Sequence, residues 1–275
     1  MDESFSGKVA IITGGASGIG KAIAQELAEH GCYLVLADVN RETMDETVAE
    51  LKGSGANVDG QIVDVRDAAQ VKALVEGTYK ELGRIDYMFN NAGINVCAEL
   101  RDTTLDHWNA LIDVNLKGVV YGVDAVYPIM REQGFGHIVN TASMAGLVPS
   151  PSEGAYSATK HAVVGLSGAL RIEAETFGIK VSVICPGVIE TPMMVTSDFV
   201  NVEGEEILKE LIEKPMPVRK AAKVMVRGVR RNSAFIVVTE SAHVIWRMYR
   251  MAPSSALALG KFIIDKFRKV RKEPA

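Results

Sequence analysis

Short apolar runs alternate along this chain with longer stretches of helical periodicity. Val9-Ala-Ile-Ile12 and Tyr33-Leu-Val-Leu-Ala37 are continuous and apolar, and further runs stand at Tyr87 to Asn90, His137 to Thr141, Lys180 to Cys185 and Phe235 to Val238. Runs of that length, flanked by turn residues, suit strands buried on both faces. Between the first two, Ile23, Leu27 and Ala28 fall at helical spacing, and Lys52-Gly-Ser-Gly-Ala56 reads as a turn after a helix. Alternating strands and helices predict a parallel sheet covered on both faces. No repeat, low-complexity tract or linker divides the chain, and 275 residues with 48% hydrophobic content can bury one core.

The first apolar run leads into Thr13-Gly-Gly-Ala-Ser-Gly-Ile-Gly20 and then a helical pattern. Strand, glycine turn and helix form the context of a dinucleotide site, because the bare backbone can approach a pyrophosphate while the helix start offers free N–H groups. This predicts a Rossmann-type, doubly wound α/β fold in a single domain. The second run ends in Asp38, eighteen residues beyond Gly20. A carboxylate there accepts hydrogen bonds from both hydroxyls of an adenosine ribose and repels a 2′-phosphate, favouring NAD over NADP. Neither Ala16, Ser17 nor Val39 supplies a cation to reverse that preference. The other reading of Asp38 is that it simply ends a strand.

Tyr156-Ser-Ala-Thr-Lys160 places a phenol and an ammonium four residues apart, with Ser143 thirteen residues upstream. Residues at that spacing share a helix face, and a nearby cation favours the phenolate, which brings a tyrosine closer to acid/base work. The same spacing also occurs by chance on amphipathic helices.

In order along the chain, the glycine turn, Asn90-Asn-Ala-Gly93, Asn115, Ser143, the Tyr156/Lys160 pair and Pro186-Gly187 resemble the short-chain dehydrogenase/reductase family from about residue 5 to residue 192. The resemblance implies that Tyr156 is the general acid/base, that Lys160 lowers its pKa and binds the nicotinamide ribose, that Ser143 polarises the substrate oxygen, and that Asn115 supports a proton relay. It implies cofactor contacts at Gly14, Ser17, Gly18, Ile19 and Gly20 in the turn, Asp38 at the ribose, and Asp64 and Val65 near adenine. Asn91, Ala92 and Gly93 would lie beside the ribose, and Pro186, Gly187, Val188 and Thr191 at the nicotinamide. It further implies a homotetramer or homodimer, and a mobile substrate lid at residues 189–217. There Met193, Met194, Val195, Phe199, Val200, Ile207, Leu208, Leu211 and Ile212 are apolar side chains that can close over a bulky alcohol or ketone such as a steroid, an aryl alcohol or a lipid-derived carbonyl, a reading placed slightly ahead of a small polar substrate. The last four equally suit an ordinary docked helix. Asn95, Met144 and Glu153 stand near motif residues and are expected to line the pocket. Residues 1–240 are expected to form the catalytic domain and 241–275 a basic amphipathic extension of it.

Cys32, Cys97 and Cys185 form no C-x-x-C pair and sit in apolar company, as free thiols do in a reducing compartment. Met1-Asp-Glu-Ser-Phe-Ser is acidic and leads directly into a core strand, so a cytoplasmic protein is expected. His30, His107, His137, His161 and His243 lack ligand spacing, and no metal is expected. Charge is distributed unevenly, with fourteen Lys or Arg in residues 219–272 against only Glu240 and Asp265, in a chain of net charge −4. Trp246, Met248, Tyr249, Met251 and the stretch Leu257 to Val270, with Leu259, Phe262, Ile263 and Phe267, mix apolar side chains into that basic tail. Such a helix can lie on an anionic membrane without spanning it. The favoured reading is that it packs on the acidic body or on a neighbouring subunit. No nucleic-acid reader motif accompanies the basic residues.

Two other functions are weighed. A serine hydrolase is a poor fit, because Ser143 lies in Thr-Ala-Ser-Met-Ala and lacks the nucleophile elbow. A regulatory or scaffold protein that binds NAD without turnover and docks through its tail would not need the full Asn115, Ser143, Tyr156 and Lys160 set.

Overall fold

The computed structural model describes residues 5–209 and 214–272. Seven parallel strands make the central sheet: β1 (Val9–Thr13), β2 (Tyr33–Asp38), β3 (Val58–Ile62), β4 (Tyr87–Asn90), β5 (Gly136–Thr141), β6 (Ile179–Cys185) and β7 (Phe235–Val237). They run in the order β7-β6-β5-β4-β1-β2-β3. The winding reverses between β1 and β4, so a crevice opens beyond the carboxyl ends of these two neighbours. Ile11, Ile12, Leu34, Leu36 and Phe89 are fully buried, as a sheet covered on both faces requires.

Around the sheet lie α1 (Gly18–Glu29), α2 (Arg41–Gly53), α3 (Ala68–Leu82), α4 (Leu105–Leu111), α5 (Gly118–Gln133), α6 (Gly154–Ala174), α7 (Met193–Thr196), α8 (Gly204–Lys209), α9 (Val218–Arg230), α10 (Glu240–Met251) and α11 (Pro253–Val270). Of the expected lid, Leu211 and Ile212 lie outside the described residues, as do Met1–Ser4 and the side chains of Leu208 and Leu259. Helix α4 opens with a reciprocal cap, in which His107 N–H donates to Thr104 Oγ1 (3.3 Å) and Thr104 N–H to His107 Nδ1 (3.1 Å). It continues into α5 through a π-helical turn at Ile112–Lys117. Such a turn inserts one extra residue into the helix and redirects the side chains it carries.

His137 on β5 is 3% exposed, and its Nε2 lies 2.8 Å from Ser182 Oγ on β6. Burial, with help from Lys180 and Arg171, pulls its pKa from 6.5 to about 3. The folded protein therefore refuses a proton that the unfolded chain accepts. Stability is lost as pH falls from 6.5 towards 3, with a slope of up to ~1.4 kcal/mol per pH unit. Urea titrations between pH 6.5 and about 5, above most carboxylate titration, should show that slope in the native chain and its loss in His137→Gln. An equal slope in the variant would place the acid sensitivity elsewhere.

Candidate active site

The glycine turn joins β1 to α1 at the crevice. Gly20 faces the turn's own backbone, where a Cβ would lie 2.0 Å from Gly14 O and 2.7 Å from Asn91 Nδ2, so no larger residue fits. Ser17, the cap residue of α1, makes no side-chain cap bond, and the first turn carries no acid. The next two helices along the chain differ: Asn40 caps α2 by accepting from Thr43 N–H, and Asp67 caps α3 by accepting from Ala69 and Gln70 N–H. Gly18, Ile19 and Gly20 thus begin a helix whose positive end is left for an anion. Asp38 does more than end its strand, since Oδ2 accepts from Ala16 N–H (3.2 Å) and Oδ1 from Asn40 N–H (3.1 Å). Its half-buried carboxylate is tied to the glycine turn. The donor set fits a dinucleotide, with amides for the phosphates and a carboxylate for the ribose.

Asp64 and Val65 follow β3. The Asp64 carboxylate receives Arg66 Nη2 (2.6 Å), which holds it below the usual carboxylate range, while Val65 is buried beside Gly118. Asn91 braces the turn, donating from Nδ2 to Thr13 O (3.1 Å) and Gly14 O (3.3 Å) and accepting at Oδ1 from Thr141 Oγ1 (3.3 Å). Ala92 N–H donates to Thr13 Oγ1 (3.2 Å). A Cβ at Gly93 would lie 3.1 Å from Asn115 Oδ1 and 3.4 Å from Lys160 Nζ, so the chain passes closely between these two groups. Asn115 sits in the π-helical turn, fully buried, and exchanges both amide bonds with Ile94: Oδ1 accepts from Ile94 N–H and Nδ2 donates to Ile94 O, each at 2.9 Å.

Tyr156 and Lys160 lie one turn apart on α6, at 9% and 3% exposure, with Lys160 Nζ 5.6 Å from the Tyr156 ring centre. Lys160 donates to Thr141 O (3.0 Å) at the end of β5, which fixes helix to sheet. Burial dominates the electrostatics of both. It raises the Tyr156 phenol above its usual range, Glu153 adds to the rise, and a hydrogen bond with Ser143 opposes it. Burial pulls Lys160 down to about 8, with Cys185 opposing. In the chain alone desolvation dominates the phenol, and the Lys160 ammonium is directed at Thr141 O. Ser143 Oγ accepts from Ala145 N–H (3.1 Å) and stands at the start of the turn leading to α6.

Pro186, Gly187 and Val188 follow β6. Pro186 O accepts from Met144 N–H (2.7 Å) and Val188 O from Met216 N–H (3.0 Å). Thr191 reaches across to the glycine turn, where a Cβ on Gly18 would lie 3.6 Å from Thr191 Cβ. On the substrate side, Asn95 Nδ2 donates to Glu153 Oε1 (2.8 Å), one turn before Tyr156. Met144, half-buried, packs on the cluster of Val119, Ala142 and Leu147 that also meets Trp246. Met193 and Met194 are half-buried on α7. The side chains clustered with Tyr156 are Val96, Ala98, Leu111, Ala145 and Ala155, with Trp108 and Val200 against them. Trp108 escapes sequence reasoning. Its only local signal is its place on α4, whose π-helical continuation is what brings Asn115 inward.

The basic tail meets carboxylates of its own chain. Arg268 pairs with Glu99 (2.8 Å), Arg271 with Asp102 (3.0 Å) and Lys272 with Glu203. No helix among the described residues is long and apolar enough to cross a membrane.

Residues 8–198 match the family model described as short chain dehydrogenase. The chain is 38% identical over 226 residues to levodione reductase of Leifsonia aquatica, covering 81% of this chain and 80% of that protein. It is 40% identical over 189 residues to a 3-oxoacyl-[acyl-carrier-protein] reductase of Thermotoga maritima, covering 69% and 77%. A crystal structure of a short chain dehydrogenase/reductase from Burkholderia phymatum in complex with NAD superposes with a TM-score of 0.83 at 32% identity, covering 91% of this chain and 95% of that one.

Proposed function

Since this chain belongs to the short chain dehydrogenase family of oxidoreductases, we propose that it interconverts a secondary alcohol and a ketone with NAD, with Tyr156 as the general acid/base. The observation that carries this reading is the convergence of buried Tyr156 and Lys160 with Ser143, Asn115 and Gly93 beside an α1 terminus left without a side-chain cap. The amides of Gly18, Ile19 and Gly20 hold the pyrophosphate, Asp38 the adenosine ribose, and Asp64 and Val65 flank the adenine. Gly14, Ser17, Asn91 and Ala92 shape the cradle. Lys160 and Gly93 meet the second ribose, and Pro186 to Val188 with Thr191 enclose the far end. Bound NAD supplies the hydride acceptor or donor.

The chain's own residues manage the proton and the oxygen. Ser143 Oγ and the Tyr156 hydroxyl grip the alcohol oxygen from two sides, and Tyr156 accepts its proton during oxidation or returns one during reduction. Lys160, held by Thr141 O, stabilises negative charge as it grows on the phenol, and a low-dielectric setting strengthens that effect. Asn115, fixed twice by Ile94, holds the end of the proton path. Val96, Ala98, Trp108 and Val200 form an apolar wall beside Tyr156, which suits a bulky apolar substrate. Asn95 and Glu153 give that wall one polar edge, and Met193 and Met194 line its outer side. As in many members of this family, a homodimer or homotetramer is the expected assembly.

Cofactor choice tests the nucleotide half. The wild-type chain should turn over with NAD well ahead of NADP, and Asp38→Asn should narrow the ratio of kcat/KM values by about tenfold or more, because it removes a charge from the ribose site. A wild-type preference for NADP would overturn the role given to Asp38. Turnover confined to small polar alcohols would overturn the substrate class.

A further inference from the structure

The C-terminal tail reaches the substrate side of the site by a continuous series of contacts. Residues Asp198–Phe199 pair with Val96–Cys97 in a small parallel sheet, and His107 Nε2 lies 3.3 Å from Asp198 Oδ2. Val200 then packs on the Tyr156 cluster. Asn201 adopts a left-handed conformation (φ 57°), a turn that asparagine tolerates, and Val202 enters a second cluster with Cys97. The core of that second cluster is completed by Phe267 of α11, 5% exposed, with Phe199, Ile207 and Ile264 against it.

Polar contacts lock the same crossing. Val202 and Arg271 form an antiparallel bridge, and Lys272 N–H donates to Asn201 O (2.7 Å). Arg271 forks onto Asp102, with Nε to Oδ2 at 3.1 Å and Nη2 to Oδ1 at 3.0 Å, and the two side chains are 9% and 10% exposed. Arg268 makes the same fork on Glu99, with Nε to Oε1 at 3.2 Å and Nη2 to Oε2 at 2.8 Å. Glu99 and Asp102 follow directly on Ala98, which bridges to Glu153 beside Tyr156. Forked arginine–carboxylate pairs are geometrically demanding, and the Arg271–Asp102 pair is also shielded from water, so together they define one position for the segment between them.

The geometry points to Phe267, Arg268 and Arg271 as positioning residues that strap Asp198–Val202 over the substrate side of Tyr156 and set the affinity for substrate but not for cofactor. The inference rests on the alcohol/ketone reading of the site for its kinetic consequence. Its structural consequence stands apart from that reading. Among the described residues, none of the strap contacts named above involves a residue assigned to the nucleotide.

The test is hydrogen exchange in the full-length protein, with Arg271→Gln, Phe267→Ala and the charge-exchanged pair Asp102→Arg with Arg271→Asp. Amides of residues 198–202 should exchange about tenfold faster in either single variant, because Arg271→Gln removes the fork on Asp102 and Phe267→Ala opens the cluster that holds Val202, while residues 14–20 keep wild-type rates. The exchanged pair should recover part of the protection. KM for the alcohol should rise by a comparable factor, about tenfold, with KM for NAD within about twofold and kcat little changed. Wild-type exchange at 198–202 in both single variants overturns the strap. Faster exchange there with KM for NAD raised as much as that for the alcohol overturns its selectivity for substrate. If no alcohol is turned over by the wild type, the enzyme reading fails, and the exchange data still decide the strap.

Discussion

Tyr156→Phe should lower kcat by a factor of about 10²–10⁴ while leaving the fold and NAD affinity in place. The phenyl ring keeps the packing against Val96, Ala98 and Ala155, so no cavity opens. What disappears is one hydroxyl, hydrogen-bonded to Ser143 from the buried side of α6. Burial holds that phenol protonated in the chain alone, which suits donation of its proton to a ketone oxygen; to accept one from an alcohol it would first pass its own proton along the path that Asn115 ends, favoured by the positive charges of Lys160 and bound NAD. A steady-state comparison at saturating NAD, with thermal unfolding as control, checks this. A variant within a few-fold of wild type would remove Tyr156 from the chemistry.

Lys160→Met should remove most activity and yet stabilise the cofactor-free protein at neutral pH. Lys160 is 3% exposed, and burial depresses its pKa from 10.5 to about 8. For a base, a depressed folded-state pKa means that the charged form is disfavoured in the fold. Below pH 8 both states carry the proton, and the cost of burying it is fully present. As pH rises from about 8 to 10.5 the unfolded chain also loses its proton, and the cost fades. That cost is at most ~3 kcal/mol, and the bond to Thr141 O offsets about 1 kcal/mol of it. Methionine fills a similar volume without charge. Urea unfolding should find the variant more stable by roughly 2 kcal/mol at pH 7, with the advantage gone near pH 10.5. Equal destabilisation at both pH values would mean that Lys160 is held as a favourable structural contact, not kept against its cost for function.

Six of the seven sheet strands are legible as apolar runs, because both faces of each are covered. The exception, β3, reads Val-Asp-Gly-Gln-Ile, and only Val58 is buried. The sheet's other edge, β7, still buries Ile236 and Val237, whereas β3 lacks the apolar run that betrays a buried strand. The order of chemistry-bearing residues is likewise visible, since the glycine turn, Asp38, Tyr156 and Lys160 each follow from local spacing. The π-helical turn that presents Asn115 is not, because its hydrophobic pattern differs from that of an α-helix by a single residue. Nor is the direction of the Lys160 ammonium, which depends on a carbonyl at the end of β5, nineteen residues earlier. The tail's surplus of positive charge suggested an acidic surface on the same chain, a neighbouring subunit or a membrane. The contacts made within the chain join residues 169 positions apart, Arg268 to Glu99 and Arg271 to Asp102, which no local pattern encodes.

Hydride transfer itself is the most direct test of this account. The full-length protein would be incubated with NAD and a bulky secondary alcohol carrying deuterium on its carbinol carbon, drawn from hydroxysteroids, aryl alcohols and acyl alcohols, and the reduced cofactor analysed by mass. Deuterium should appear in NADH in step with ketone formation, and both should vanish in Tyr156→Phe. Tight NAD binding with no labelled NADH from any of these alcohols would contradict the alcohol/ketone reading and leave a nucleotide-binding protein without this chemistry.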